Sequence, residues 1–489
     1  MRFNPDQIER FRLTALDVDV ERGVVDLGYA LDDDWTFTER VSFGPRRAGV
    51  GPELDDGFGR VARLLHLAAG VSYYKAAAPA VLAVETGPLT DLERRFVVEL
   101  YDKGLREFAW HNGLPLERRL TVDAPPPSPP GGAPAPAPGR GGVTAPPARI
   151  AVPVGGGKDS AVVAEALRDR DPVLLSVNGH PAARRVAEAA GLELAVVERA
   201  LDPALLELND QGARNGHVPI TAIVSLVAVA AGFRIGYDTT VMALEGSADE
   251  PTRVAQRDGR PAAGSGAASA VTGSGAASAV TGSGAASAVT GTGAASGAAG
   301  VAVNHQWSKS SEFEAVLTAA LAGAVGPAVR YRSVLRDAGE LDIAAAFATM
   351  PRYHRAFLSC NQAFGRSGRD GWCGACPKCR FVYLALATAM PPDRLAGIFG
   401  RDLLRDATQA EGFRDLLEED RKPFECVGTR AESLAAIAEL AGDRAWADAA
   451  VVRSLAPVAA AQGAVPAAHL APAELVRRIR SAVDAEDPG

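Results

Sequence analysis

Aromatic side chains are scarce in this chain, at 6% of 489 residues. Its 47% hydrophobic content rests on small aliphatic residues diluted by 51 glycines and 33 prolines, so part of the length is connecting chain rather than core. Lysine and arginine are outnumbered, 51 against 59 acidic residues, for a net charge of −8. That balance excludes a nucleic-acid surface spread over the whole molecule but allows a local basic pocket. Long apolar runs are also missing. The longest, 218–233, contains Pro219, Thr221 and Ser225 and suits a buried helix better than a membrane span. Residues 1–22 carry charges from the second position and no apolar stretch, so no signal peptide is read there. The five cysteines are too few for a disulfide framework, and three of them fall within seven residues, which is a metal-ligand spacing. A cytoplasmic chain with no membrane or nucleic-acid partner is expected.

The first boundary is the proline-rich stretch 124–149, whose missing backbone donors favour an extended linker. The region before it, 1–123, reads as an α+β domain. Alternating, β-branched segments at 14–20, 24–29 and 35–43 predict antiparallel strands, and helical periodicity follows at 58–67 and 90–110. After the linker the pattern changes to strands alternating with helices: strands at 150–154, 172–177, 192–197 and 240–244, helices at 160–168, 180–190 and 220–233. That order implies an α/β fold, a parallel sheet with helices on both faces. Residues 150–390 are expected to form this catalytic domain, with an insertion at 256–300 built on the repeated nonapeptide GSGAASAVT. The repeat lacks bulky inward residues and reads as a surface insertion rather than a solenoid. Residues 391–489 are alanine-rich and read as a helical C-terminal region, with helical pieces at 393–397, 431–440 and 472–483.

Strand 150–154 runs directly into Gly155-Gly156-Gly157-Lys158-Asp159-Ser160 and then a helix. Glycines let backbone N–H groups close on an anion, and the helix N-terminus adds the positive end of its dipole. The pattern is not a Walker A loop, because Asp159 and Val152 stand where that motif needs Ser or Thr and Gly. It resembles the SGGxDS loop of the PP-loop ATP pyrophosphatases, with Gly155 in place of the first serine. By that resemblance Gly155, Gly156, Gly157 and Ser160 contact the phosphates of ATP, Lys158 adds charge, and Asp159 orients magnesium or the loop.

Cys373, Cys376 and Cys379 give C-x₂-C-x₂-C, and Cys360 lies upstream in FLSCN. Four thiolates complete a tetrahedral structural zinc site. An iron–sulfur cluster or free thiols are the alternatives, and Cys360 reads equally as a catalytic thiol. Cys426, in KPFECVG, reads as a small buried hydrophobe. Among other polar positions, His217 and Thr221 precede an apolar helix, and Asp249 and Glu250 follow a strand at the sheet edge, where magnesium binds in many α/β proteins. Each of these is as readily a cap or a solvated loop. VNHQWSKSSEFE resumes after the repeat; PRYHR, with His354, clusters cations near the cysteines and suits an acidic substrate; GVSYYK offers Tyr73 and Lys75.

Taken together, GVSYYKAAAP, YDKGLREFAWHNGLPL, VPVGGGKDS, NGHVPITAIVSL, GSADE, VNHQWSKSSEFE, YHRAFLSCN, WCGACPKCRFVYLAL and KPFECVG resemble the UDP-N-acetylmuramoyl-L-alanyl-L-glutamate epimerase family, MurL. The resemblance spans nearly the whole chain apart from the linker, the repeat and the end of the tail. It departs at Leu244-Glu245-Gly246, where a more polar run is expected. It implies a PP-loop (HUP-like) fold, ATP and magnesium as co-substrate and cofactor, a structural zinc ion, and a nucleotide-sugar peptide whose terminal L-glutamate is inverted through an acyl-adenylate. The base at the glutamate Cα is not named by the resemblance; Tyr73, Lys75, His217, His354 and Cys360 are its candidates by residue type, with Lys158 and Asp159 the catalytic candidates of the loop. The competing reading is a PP-loop enzyme of RNA modification or thiolation, which needs a basic face that a net charge of −8 does not favour.

Overall fold

The computed structural model describes residues 2–117, 119–126, 143–254, 301–364 and 370–485. The nonapeptide repeat and most of the proline-rich stretch lie outside these residues. Twelve strands occur among the described residues. β1 (Arg10–Asp19), β2 (Val24–Leu31) and β3 (Trp35–Ser42) form an antiparallel meander, followed by β4 (Val81–Val84) and β5 (Thr121–Asp123). After the proline-rich stretch come β6 (Ile150–Pro153), β7 (Val173–Val177), β8 (Leu194–Ala200), β9 (Thr239–Glu245) and β12 (Arg330–Leu335). A separate antiparallel pair, β10 (Thr252–Val254) and β11 (Val301–Val303), flanks the repeat.

The ten long-range strands form one sheet in the order β12-β9-β6-β7-β8-β3-β2-β1-β4-β5. Pairing is parallel from β12 to β8 and again across β1-β4-β5; it is antiparallel only within the meander and at its contact with β8. The parallel half follows from its connections, because a strand can return parallel only through a crossover. Helices Lys158–Ala166, Pro181–Ala190 and Ile220–Ile235 supply those crossovers. The last is apolar on every side, as expected of a helix with protein all round it. It packs on β6 and β9 and against the helix Asp55–Ala69 of the N-terminal segment.

The periodicity of the sequence locates β1–β3 and β6–β9 with their helices. The helix expected at 90–110 is two, Asp91–Lys103 and Arg106–His111, parted at Gly104. β4, β5 and β12 are too short and mixed for alternation to reveal them. The helices Arg430–Gly442, Ala450–Ala461 and Pro472–Asp484 close a second core with Glu340–Ala348 and Pro377–Ala387. The helix Pro472–Asp484 lies along Lys158–Ala166 and β12.

The segments on either side of the proline-rich stretch meet at β3 and β8, which pair over only Arg40↔Ala200, Val41↔Arg199 and Ser42↔Glu198. A buried ion pair seals this short register. Arg199 donates from Nε and Nη2 to the two oxygens of Glu39, at 2.7 and 2.9 Å, and from Nη2 to Ser72 Oγ at 3.0 Å. Glu39 has no exposure. Removing one partner strands a charge without water, at a cost of about 3–5 kcal/mol. Arg199→Leu is therefore expected to lower unfolding free energy by about that amount in urea titrations, whereas the double variant Glu39→Met, Arg199→Leu loses much less.

Candidate active site

The glycine loop sits at the carboxyl end of β6, between β7 and β9, where the chain turns to opposite sides of the sheet; ligands of open α/β sheets bind at such a point. Gly156 has φ +99°, and a Cβ there would come within 2.5 Å of the Ala182 Cβ, so glycine is required for both conformation and space. A Cβ at Gly155 would meet nothing, so the missing serine is not a steric necessity. Gly157 caps the helix Lys158–Ala166, and Ser160 Oγ donates back to its carbonyl at 3.3 Å.

Lys158 turns inward and is 1% exposed, its ammonium bonded to both Asp159 and Glu340. Burial works against its charge, but the two carboxylates outweigh burial and hold its pKa above the ordinary lysine value. Glu340 opens the helix Glu340–Ala348, and its N–H donates to Glu432 at 2.5 Å. Burial and the charge of Asp159 push its carboxyl up against the pull of Lys158. Asp159 is held below its ordinary value: burial opposes ionisation, but Lys158, Lys378 and Lys309 outweigh it. Lys309 donates to Cys426 Sγ at 2.8 Å and keeps a raised pKa against its burial through Cys426, Glu245 and Asp159. Lys378 donates from Nζ to the Cys426 carbonyl. Three ammonium groups thus surround the acid of the loop, an arrangement that can neutralise a phosphate chain.

The cysteines adjoin this loop. Leu358 N–H donates to the Gly156 carbonyl at 2.8 Å, and Ser359 lies against Gly157, so the strand of chain leading to Cys360 is laced to the cradle. The Sγ atoms of Cys360, Cys373, Cys376 and Cys379 all lie within 4.8 Å of one another. Cys373 and Cys379 are 3.7 Å apart, too far for a disulfide and close to the roughly 3.8 Å edge of a tetrahedron with Zn–S bonds of about 2.3 Å. Backbone N–H groups of Cys376 and Ala375 point at Cys373 Sγ, and that of Cys379 at Cys376 Sγ, at 3.3–3.4 Å. Such donors stabilise thiolates. Gly374 takes φ +63° at the bend of the knuckle. The four side chains therefore suit a zinc ion.

A second polar group lies beyond the lysines. Glu107, on the helix Arg106–His111, faces His217 and His111 at 3.5 and 3.7 Å. Lys75 holds the His217 loop, donating to Asn215 Oδ1 at 2.6 Å and reaching Gly216 O at 3.5 Å; burial, with Arg199 nearby, lowers its pKa to about 8. His305 bonds Thr252 and the Glu425 carbonyl, and burial lowers its pKa to about 3. Phe424 packs edge-on to Trp110, His111 and His305.

Other sequence candidates lie elsewhere. Tyr73 is buried at the β3–β8 junction, its hydroxyl accepting from Asp202 N–H at 3.0 Å. His354 is turned into the second core, bonded to Phe347 O and packed on its ring. Asp249 accepts from Ser311 N–H at 2.7 Å and Glu250 pairs with Lys422 at 3.4 Å, so they are engaged separately. Glu340 and Glu107 were not legible as site residues, since an acid in the first turn of a helix reads as ordinary dipole compensation. Cys426, read as a small hydrophobe, is instead a lysine partner.

An α/β protein with a glycine loop at the sheet's switch point, three lysines about its acid and four clustered thiols beside it, is what these residues define. Its relatives specify it further. The MurL N-terminal domain profile matches residues 2–263 and 264–334, and the MurL C-terminal domain profile matches 356–470. Proteins named UDP-N-acetyl-alpha-D-muramoyl-L-alanyl-L-glutamate epimerase are similar from Micromonospora sp. (40% identical, 92% of this chain and 90% of the relative), Salinispora tropica (37%, 92% and 88%) and Xanthomonas oryzae pv. oryzae (37%, 92% and 90%). No solved structure matches. The chain belongs to the MurL family.

Two measurements check the site. Elemental analysis of the purified chain is expected to find about one zinc per molecule, falling to a small fraction in Cys379→Ser, with looser proteolytic resistance around 358–379. The second concerns pH. A histidine whose folded pKa is depressed contributes stability that is present above pH 6.5 and lost as pH falls towards the folded value, because the unfolded chain takes the proton first. His305 and His66, lowered to about 3 and about 4 by burial, set this window. The urea midpoint is expected to fall between pH 7 and pH 4.5, and His305→Asn is expected to flatten that fall.

Proposed function

We propose that this chain inverts the terminal L-glutamate of UDP-MurNAc-L-Ala-L-Glu to D-glutamate, consuming ATP and releasing AMP and diphosphate, as a cytoplasmic step of peptidoglycan precursor synthesis. The observation that carries this reading is the lysine-ringed cradle, Gly155 to Ser160 with Lys158, Lys309 and Lys378 about Asp159, in a chain whose relatives carry that epimerase name. We read the loop as a PP-loop that holds the phosphates of ATP.

The chemistry follows from the acidity of a carbon next to a carboxylate. Removing its proton places a carbanion beside a negative charge, which is prohibitive. Attack of the glutamate α-carboxylate on the α-phosphorus of ATP forms a carboxyl–phosphorus oxygen bond and expels diphosphate. The resulting acyl-adenylate has lost the carboxylate charge, and its carbonyl accepts the electron pair when the Cα–H bond breaks. Reprotonation from the other face inverts the centre, and water then releases AMP and the D-glutamyl product.

In this scheme the backbone of Gly156 and Gly157 and the helix dipole cradle the phosphates, while Lys309 and Lys378 offset their charge. Lys158 is committed to Asp159 and Glu340 and fixes the loop from beneath. Asp159, the acid of the loop, would hold magnesium on exchanging its contact with Lys158, and the ion would supply charge neutralisation at the phosphates. The cysteines would hold zinc as a structural brace for the 358–360 strap, with no part in the reaction.

Incubation with magnesium-ATP and the L-Glu-terminated UDP-precursor is expected to yield AMP, diphosphate and a D-glutamyl product, resolved by chiral analysis after hydrolysis. Gly156→Ala, which drives a methyl into Ala182, is expected to reduce both AMP formation and inversion by at least about 100-fold together. AMP without inversion, or inversion without ATP, would sink the reading.

A further inference from the structure

The charged loop leaves one step without an owner, the handling of the Cα proton, and the group around Glu107 fits it. Glu107 is 8% exposed, and its Oε2 is buried without a hydrogen bond. A buried carboxyl left in this state is costly and is kept where it has work to do. The charged and titratable groups facing it come from three segments: His111 one turn along its own helix, 3.7 Å from Oε1; His217 on the loop before Ile220–Ile235, 3.5 Å from Oε2; and Glu425, on the segment whose Phe424 walls the group. The same segment continues to the phosphate side. Glu425 accepts from Lys378 N–H at 3.2 Å, and Cys426 accepts from Lys309 at 2.8 Å. Three consecutive residues, 424–426, therefore join Glu107 and its imidazoles to the lysines that face Asp159. A glutamate whose α-carboxyl lies at the loop has its Cα one bond away from that carboxyl.

We propose that Glu107 is the base that removes the Cα proton of the activated glutamate, with His217 and His111 passing that proton on to solvent. The proposal rests on the functional reading above. In the step, the Cα–H bond breaks, the proton joins the Glu107 carboxylate, and the electron pair moves onto the acyl carbonyl as an enolate. Water supplies the proton added to the opposite face, so one proton leaves and one enters, with no net redox change. An ordinary carboxylate is a weak base for this task. Burial, with Glu425 adding to it, pushes Glu107 up to about 8, nearer the range that suits proton abstraction at neutral pH.

The test uses Glu107→Gln in D₂O with magnesium-ATP and the L-glutamyl precursor, reading diphosphate release and Cα deuterium separately. Diphosphate release is expected to persist while deuterium entry falls by at least about 100-fold, and Glu107→Asp is expected to restore part of the exchange. Wild-type-rate deuterium entry in Glu107→Gln overturns the assignment. So does loss of diphosphate release in step with exchange in both variants, when circular dichroism shows the native fold, because the residue then acts in binding. A wild-type chain that forms no diphosphate overturns the functional reading itself, a result distinct from an active wild type with an exchanging variant.

Discussion

A guanidinium and a carboxylate with almost no exposure, Arg199 and Glu39, pair where the antiparallel meander joins the parallel half of the sheet. The two halves of the sheet share only three residue pairs there, too few hydrogen bonds to fix a register alone. The bidentate geometry supplies direction as well as attraction, and any slip of β3 against β8 would leave both charges buried and unpaired. Ser72 completes the arrangement from the short helix Val71–Tyr74, whose C-cap is Lys75, so Lys75 is tied to the same node. On the same side of the proline-rich stretch, Lys75 and Glu107 meet the loop of Asn215 to His217 in the other half.

The cradle itself works by concentrating charge where water is scarce. Lys158 is consumed by two carboxylates and serves as a brace beneath the loop, while Lys309 and Lys378 act on Asp159 from two further segments. Interactions of this kind gain strength from their low dielectric surroundings. The thiol cluster adjoins the loop at one remove: Cys360 follows Leu358 and Ser359, and Leu358 N–H donates to the carbonyl of Gly156.

Local signals in the sequence determined a good deal. Period-two alternation located β1 to β3, strand–helix alternation located β6 to β9, and the run from Gly155 to Ser160 marked the turn from β6 into a helix, because each signal arises within one element and its immediate neighbours. Cysteine spacing showed three of the four thiols for the same reason, and the nine quoted segments placed the chain among its relatives, as their matched lengths bear out.

Tertiary structure alone decided what depends on contacts between distant segments. Glu340 reaches Lys158 across 182 positions, Cys426 meets Lys309 across 117, and Glu107 faces His217 across 110. No periodicity encodes such meetings, since an acid at a helix start looks the same whether it compensates a dipole or pairs with a buried lysine. The same limit applies to Tyr73 and His354, which share residue type with catalytic groups but are drawn into the core by their neighbours' packing. Chemistry is written in the sequence as inventory; the fold assigns each group its partner, because desolvation and distance exist only once the chain has closed on itself.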